Sequence, residues 1–310
     1  MHLAVYVTLV VAAVVGPAAR VCVRRLAPRP AALTLVGVAV GAAVGWVWGL
    51  ALLTATLVNS GPAGPDGVLG FRMVRDPVPA WVGLAAALVL GACGGRVLDA
   101  AVRELRRTHT IHRAVRACRP TVGELIVTAD PVPRAFAVAT LMGGPGYIVV
   151  STGMLRALDG EQRAVLLAHE RSHLRNRHGW LRSAAVLACA VHPLLGSLGD
   201  ELESQLERWA DEDAAETVPS RQVAARSVCR AALAMLGSSP AEGMTETRSR
   251  RMRGAIPARV AALSAEAPRS RWLPAVAIVA LMLMMTASTA EASHDLESLF
   301  DPGPHAAAAS

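Results

Sequence analysis

Apolar residues in this chain fall in long blocks, a pattern that a soluble core does not produce. Leu3–Val23 is apolar apart from Arg20 near its end, Ala31–Val58 is longer, Val78–Gly95 is shorter, and Trp272–Ala290 follows a basic stretch. A bilayer hydrocarbon core takes roughly 20 apolar residues of helix, so the pattern predicts four transmembrane helices. Between the third and fourth blocks the periodicity changes. Leu125–Thr128, Arg134–Thr140 and Tyr147–Ser151 are short, β-prone and punctuated by Asp-Pro, Pro and Gly-Gly-Pro-Gly, which predicts a small antiparallel sheet. A helix then starts at Asp159, with Gln162 three positions on to complete a capping box. It is expected to run through EQRAVLLAHERSHLRNRH and to stop at Gly179. The predicted architecture is α+β and mostly helical. Residues 1–100 carry three transmembrane helices, residues 101–271 a soluble domain, residues 272–291 the fourth helix and residues 292–310 a short tail.

Charge orients these blocks. Of 310 residues 53% are apolar and only 18% charged, against a usual quarter charged. The formal charge is +7, and every basic residue is Arg. The first block lacks a basic segment ahead of it, and Arg20, Arg24, Arg25 and Arg29 follow it, which favours a retained helix with an external N-terminus over a cleaved signal peptide. Residues 20–30 therefore read as cytoplasmic, residues 59–79, with balanced charge, as external, and the arginine-rich run after the third block as cytoplasmic. The acidic tail, with Asp295, Glu297 and Asp301, reads as external. Both termini are expected outside, with the large domain inside. This accounts for the arginine excess without a nucleic-acid partner. The cysteines Cys22, Cys93, Cys118, Cys189 and Cys229 show no paired spacing, so neither a disulfide framework nor a thiolate metal site is expected.

The chemistry lies in the soluble domain. The predicted helix contains His169-Glu170-Arg171-Ser172-His173. At i and i+4 both imidazoles leave the same face, close enough to share one tetrahedral zinc ion. Glu170 sits about 100° further round, placed to reach water without ligating the metal. By itself this motif is also the composition of a solvated helix face. Glu207-Arg208-Trp209-Ala210-Asp211, which starts 34 residues beyond His173, changes that weighing. A catalytic zinc needs a third protein ligand and an open fourth position. Glu207 can be that ligand, with Asp211 one turn on accepting the far ring N–H of a zinc histidine. The apolar stretch Trp180–Gly199 then cannot be a single crossing, because His173 and Glu207 would end on opposite sides of the bilayer. It is expected as a core helix, a surface helix or a re-entrant hairpin bent at His192-Pro193.

The runs PRAFA, IVVSTGML, LLAHERSH and ERWADEDAA, over roughly residues 120–235, resemble the membrane-bound gluzincin peptidases. Those comprise the HtpX and CAAX-prenyl-protease group (family M48) and the BlaR/MecR sensor group (family M56), and the four-span layout favours the latter. The resemblance implies a bacterial multi-pass membrane endopeptidase with one Zn2+ per chain, held by His169, His173 and Glu207. It further implies Glu170 as base and then acid, Asp211 as supporting carboxylate, and a protein or peptide substrate at the bilayer. Arg134 stands where the M48 group usually has Asn. Arg134 and His178 are candidates for substrate or transition-state contact, His178 alternatively for a helix-end cap. A BlaR-type sensor that cleaves a BlaI/MecI-type repressor, or itself, is the alternative function, although no penicillin-binding sensor domain is expected from the short stretch after the fourth block. A zinc-binding scaffold without activity ranks lower, because it has no use for Glu170. His109 and His112 read as an interfacial helix, His192 as structural, and residues 237–254 as a linker.

Overall fold

A computed structural model describes residues 2–59, 79–118, 123–139, 146–237 and 246–267, with isolated helical positions between 276 and 290. The loop expected outside, the acidic tail and most of the fourth predicted span lie outside the described residues. Three helices open the chain: α1 (His2–Val23), α2 (Pro28–Asn59) and α3 (Ala80–Ala117). Each contains a stretch long and apolar enough to cross a bilayer, Tyr6–Val23, Pro28–Ala55 and Ala80–Val115. The third does not stop at Gly95. Residues 96–117 contain no Gly or Pro and are rich in Ala and Arg, both good helix formers, so the helix carries on through the boundary expected at residue 101.

Helix α2 is 32 residues long, about 48 Å at 1.5 Å per residue, against a hydrocarbon core of about 30 Å. Its N-terminal half is a docking post. Ala31, Ala32, Leu35, Val38, Ala39 and Ala42 are buried in one apolar cluster with Leu198, Leu202, Leu206 and Trp209 from later in the chain. The Arg29 guanidinium lies 5.5 Å from the Trp209 ring centroid, within cation–π range.

Among the described residues the sheet has three strands, β1 (Leu125–Thr128), β2 (Ala135–Val138) and β3 (Tyr147–Ser151), in the order β1-β3-β2. It is mixed, which corrects the expected antiparallel sheet: β2 and β3 pair antiparallel, whereas β1 and β3 run parallel. The cause lies in the Asp130–Pro133 connection, which passes across the end of β3 instead of turning back as a hairpin. Backbone N–H of Gly153 and the Thr152 hydroxyl both donate to the Asp130 carbonyl. A Cβ at residue 153 would stand 2.0 Å from the Pro131 carbonyl oxygen, so the crossing requires glycine there.

Six helices complete the described chain: α4 (Thr152–Ala157), α5 (Gly160–Arg175), α6 (His178–Val191), α7 (Gly196–Ala215), α8 (Arg221–Gly237) and α9 (Glu246–Ser264). The capping box forms, with Gln162 N–H donating to Asp159 and the Gln162 side chain accepting from the Asp159 N–H. The helix ends at Arg175, four residues before the expected Gly179. Arg177 adopts a left-handed conformation, φ 52° and ψ 40°, and a new helix begins at His178. The apolar stretch after it resolves as α6, a 3-10 turn at Pro193–Leu195 and the start of α7. This hairpin packs among the first three helices. The Cys93 thiol donates to the Val191 carbonyl, Arg96 Nε donates to the Ala190 carbonyl, and the buried His192 ring meets Trp46 edge-on at 4.4 Å. At Gly16 of α1 an added Cβ would sit 3.1 Å from Leu195, so the hairpin tip presses closely on that helix.

Candidate metal centre

Helix α5 sets His169 and His173 one turn apart with their Nε2 atoms 3.1 Å from each other. Helix α7 adds Glu207, whose Oε2 is 3.5 Å from His169 Nε2 and whose Oε1 is 3.5 Å from His173 Nε2. One ligand atom from each of the three residues falls within 4.8 Å of the others. Zinc–ligand bonds of 2.0–2.1 Å at the tetrahedral angle separate two ligands by roughly 3.3–3.5 Å. Two imidazoles and a carboxylate at this spacing could therefore hold a zinc ion, filling three of its four tetrahedral positions.

The groups behind these ligands are buried. Asp211 is 2% exposed, with Oδ1 3.0 Å from His169 Nδ1. It is gripped in turn by Arg259 of α9, which donates from Nε to Oδ2 at 2.7 Å and from Nη2 to Oδ1 at 2.6 Å. The third guanidinium nitrogen of Arg259 lies 3.1 Å from Glu207 Oε2. From α6, Arg182 donates to Glu203 at 2.5 Å and to Glu207 Oε1 at 3.2 Å. Each oxygen of Glu207 thus faces one histidine and one arginine. Burial opposes the Glu207 charge, but the His169 hydrogen bond and the Arg259 charge win and hold its pKa well below the carboxylate range. Burial likewise opposes charge on His169, yet hydrogen bonds and charges from Asp211 and Glu207 raise it to about 10. His173 goes the other way, pushed well below its usual value first by burial and then by the His169 charge.

Glu170 is 8% exposed. Burial, which outweighs the nearby His169 charge, raises its pKa, and its carboxylate accepts from the Ala137 backbone N–H. That contact places β2 beside Glu170. Arg134 opens this strand, with its guanidinium 3.8 Å from Asp130. His178 is fully buried, with its ring against His173 and Trp209. Ser172 and Arg175 of α5 and Asn176 just past its end all donate to Asp213 of α7, at 2.6, 2.9 and 2.8 Å, and so tie the two site helices together.

The sequence reading did not single out Arg259 or Arg182. Arg259 follows a basic stretch that reads as linker, and its partner Asp211 lies 48 positions away, so no helical spacing links them. Arg182 sits nine residues after His173 within an apolar run. A lone arginine there was the available signal.

Comparison with known proteins points the same way over part of the chain. Residues 102–200 match the model of peptidase family M48, about a third of the chain, ending before Glu207. The plastoglobule-localized metallopeptidase 48 of Arabidopsis thaliana chloroplasts is 37% identical over 90 residues, which cover 28% of this chain and 26% of that protein. This chain therefore spans about a quarter of the length of the curated relative it matches. No solved structure matches.

Proposed function

We propose that this protein is a membrane-anchored zinc endopeptidase that cleaves protein or peptide substrates close to the bilayer. The observation that carries this reading is the His169–His173–Glu207 group at zinc-ligand spacing, with the buried carboxylate of Glu170 beside it. Zinc, when bound, supplies a Lewis acid that lowers the pKa of water toward neutrality and polarises a carbonyl. Glu170 takes the proton of the attacking water and passes it to the leaving nitrogen, and its raised pKa brings it nearer to neutral operation. Asp211 and Arg259 fix the ring of His169 and the carboxylate of Glu207.

The sheet supports a binding mode. β2 is an edge strand. Because the Arg134 carbonyl accepts from Ser151 N–H of β3, strand alternation turns the backbone groups of Ala135 and the carbonyl of Ala137 outward, while the Ala137 N–H is taken by Glu170. An extended substrate can add to that edge next to Glu170. The match supports the M48 group over the M56 group favoured by layout, and the arginine distribution supports a cytoplasmic catalytic domain.

The test uses the full chain purified in detergent. It should hold about one zinc per chain, and Glu170→Gln should keep the metal while losing about 10²- to 10⁴-fold in peptide cleavage. A wild-type protein that takes up no zinc, or a Glu170→Gln variant as active as wild type, would sink the proposal.

A further inference from the structure

His173 presents Nε2 to the ligand group, 3.1 Å from His169 Nε2 and 3.5 Å from Glu207 Oε1. Its other nitrogen, Nδ1, stands 2.7 Å from Nδ1 of His178. The two rings meet edge-on, with centroids 4.8 Å apart and planes at 80°. His178 is held against the Trp209 ring at 4.7 Å, has no exposed surface, and its Nε2 has no hydrogen-bond partner among the described residues.

The tautomers follow from counting protons. A neutral imidazole that gives the Nε2 lone pair to a metal carries its proton on Nδ1. Two facing nitrogens at 2.7 Å have room for one proton between them. If His173 provides it, His178 must offer a lone pair at Nδ1 and keep its own proton on Nε2. We propose that His178 is the positioning residue for His173: it accepts the Nδ1–H and so fixes the tautomer and ring plane in which His173 binds the metal. This rests on the zinc reading above. It gives the two histidines unlike supports, an arginine-clamped carboxylate behind His169 and a neutral imidazole behind His173. Full burial means that His178 acts through His173 and not on a substrate.

The chain is built to place it. On an unbroken helix, residue 178 would point about 140° away from residue 173, five positions earlier. The left-handed Arg177 ends α5 and starts α6 with His178 turned back onto His173. Such a conformation is uncommon for a residue other than glycine. Here it performs a task.

The test compares His178→Phe, which keeps a ring but removes the acceptor, with His178→Asn, whose amide oxygen replaces Nδ1. Zinc affinity is read by chelator competition on the full chain in detergent. His178→Phe should bind zinc about 10- to 100-fold more weakly, and His178→Asn should recover most of that loss. Equal losses in both would reduce His178 to packing. Wild-type affinity in His178→Phe would overturn the assignment while leaving the zinc reading intact, whereas a wild-type chain that binds no zinc ends both. Nitrogen-15 NMR of histidine-labelled wild type needs no variant to fold. In the zinc-loaded protein it should show His173 protonated at Nδ1 and His178 at Nε2, and a His178 protonated at Nδ1 would refute the proposal.

Discussion

Helices α5 and α7 both supply the His169–His173–Glu207 group, but they reach it by different means. On α5, His169, Glu170 and His173 are set by the turn of one capped helix, so their mutual placement is almost entirely local. On α7, Glu207 and Asp211 share a face one turn apart but must be delivered from a distance. The apolar face of α7, Leu198, Leu202, Leu206 and Trp209, is buried with α1 and α2. Its polar face is clamped by Arg182 from α6 and Arg259 from α9. The lesson is that half of the centre is preorganised by secondary structure and half by tertiary contacts, including contacts with helices long enough to cross a bilayer. Damage to the supports of α7 should therefore reach the metal without touching a ligand.

The strongest way to break that comparison is Arg259→Leu. Its side chain is 19% exposed and faces the 2%-exposed Asp211. Removing one partner of a buried ion pair costs about 3–5 kcal/mol, because the other charge is left uncompensated. Arg259→Leu should lower the denaturation midpoint in detergent and weaken zinc in chelator competition. Arg259→Lys, with one charge but no fork of donors, should fall between. If Arg259→Leu matches wild type in both assays, apolar packing alone positions α7.

Protons offer a finer test. With His169 raised to about 10, protein stripped of metal carries that proton at neutral pH. His173 and Glu207 are both shifted well down, so neither holds one there. Zinc uptake must then expel about one proton, from His169, and affinity should fall about tenfold for each pH unit below that pKa. Calorimetry in two buffers of different ionisation enthalpy counts the proton. Asp211→Asn removes the larger of the two partners that hold it. The variant should release less than wild type, with a shallower pH slope and about 10- to 100-fold weaker zinc. The same proton release in Asp211→Asn would assign the raised pKa to Glu207 alone.

The same division decides what could be read from sequence. Long apolar blocks announced the first three helices, and Asp159 with Gln162 announced the start of α5, because both are local patterns. His169, His173 and Glu207, grouped in the structure, were legible because helical phase and ligand chemistry agree. The mixed sheet was not legible, since strand order depends on where the Asp130–Pro133 connection crosses. Nor was the end of α5, where an arginine takes a conformation normally signalled by glycine. Arg259 was hidden for the same reason that makes it consequential: it acts across 48 positions.

The smallest effect is expected at Ser172, which bonds α7 through Asp213 and has no hydrogen bond to the side chains of His169, His173 or Glu207. Its hydroxyl is buried and donates to Asp213 at 2.6 Å, as part of the tie between α5 and α7. That tie is redundant. Asn176 still donates to the same oxygen at 2.8 Å, and Arg175 reaches it at 2.9 Å. The Arg175 side chain is 70% exposed, so solvent screening leaves its contribution small. Ser172→Ala removes two hydrogen bonds, one given to Asp213 and one accepted from Asn176, and should cost about 0.5–1.5 kcal/mol of stability for each, with zinc affinity and proton release unchanged. A loss of zinc affinity in Ser172→Ala would mean that the register between the two helices depends on this hydroxyl. The α5 half of the centre would then be no more self-sufficient than the α7 half.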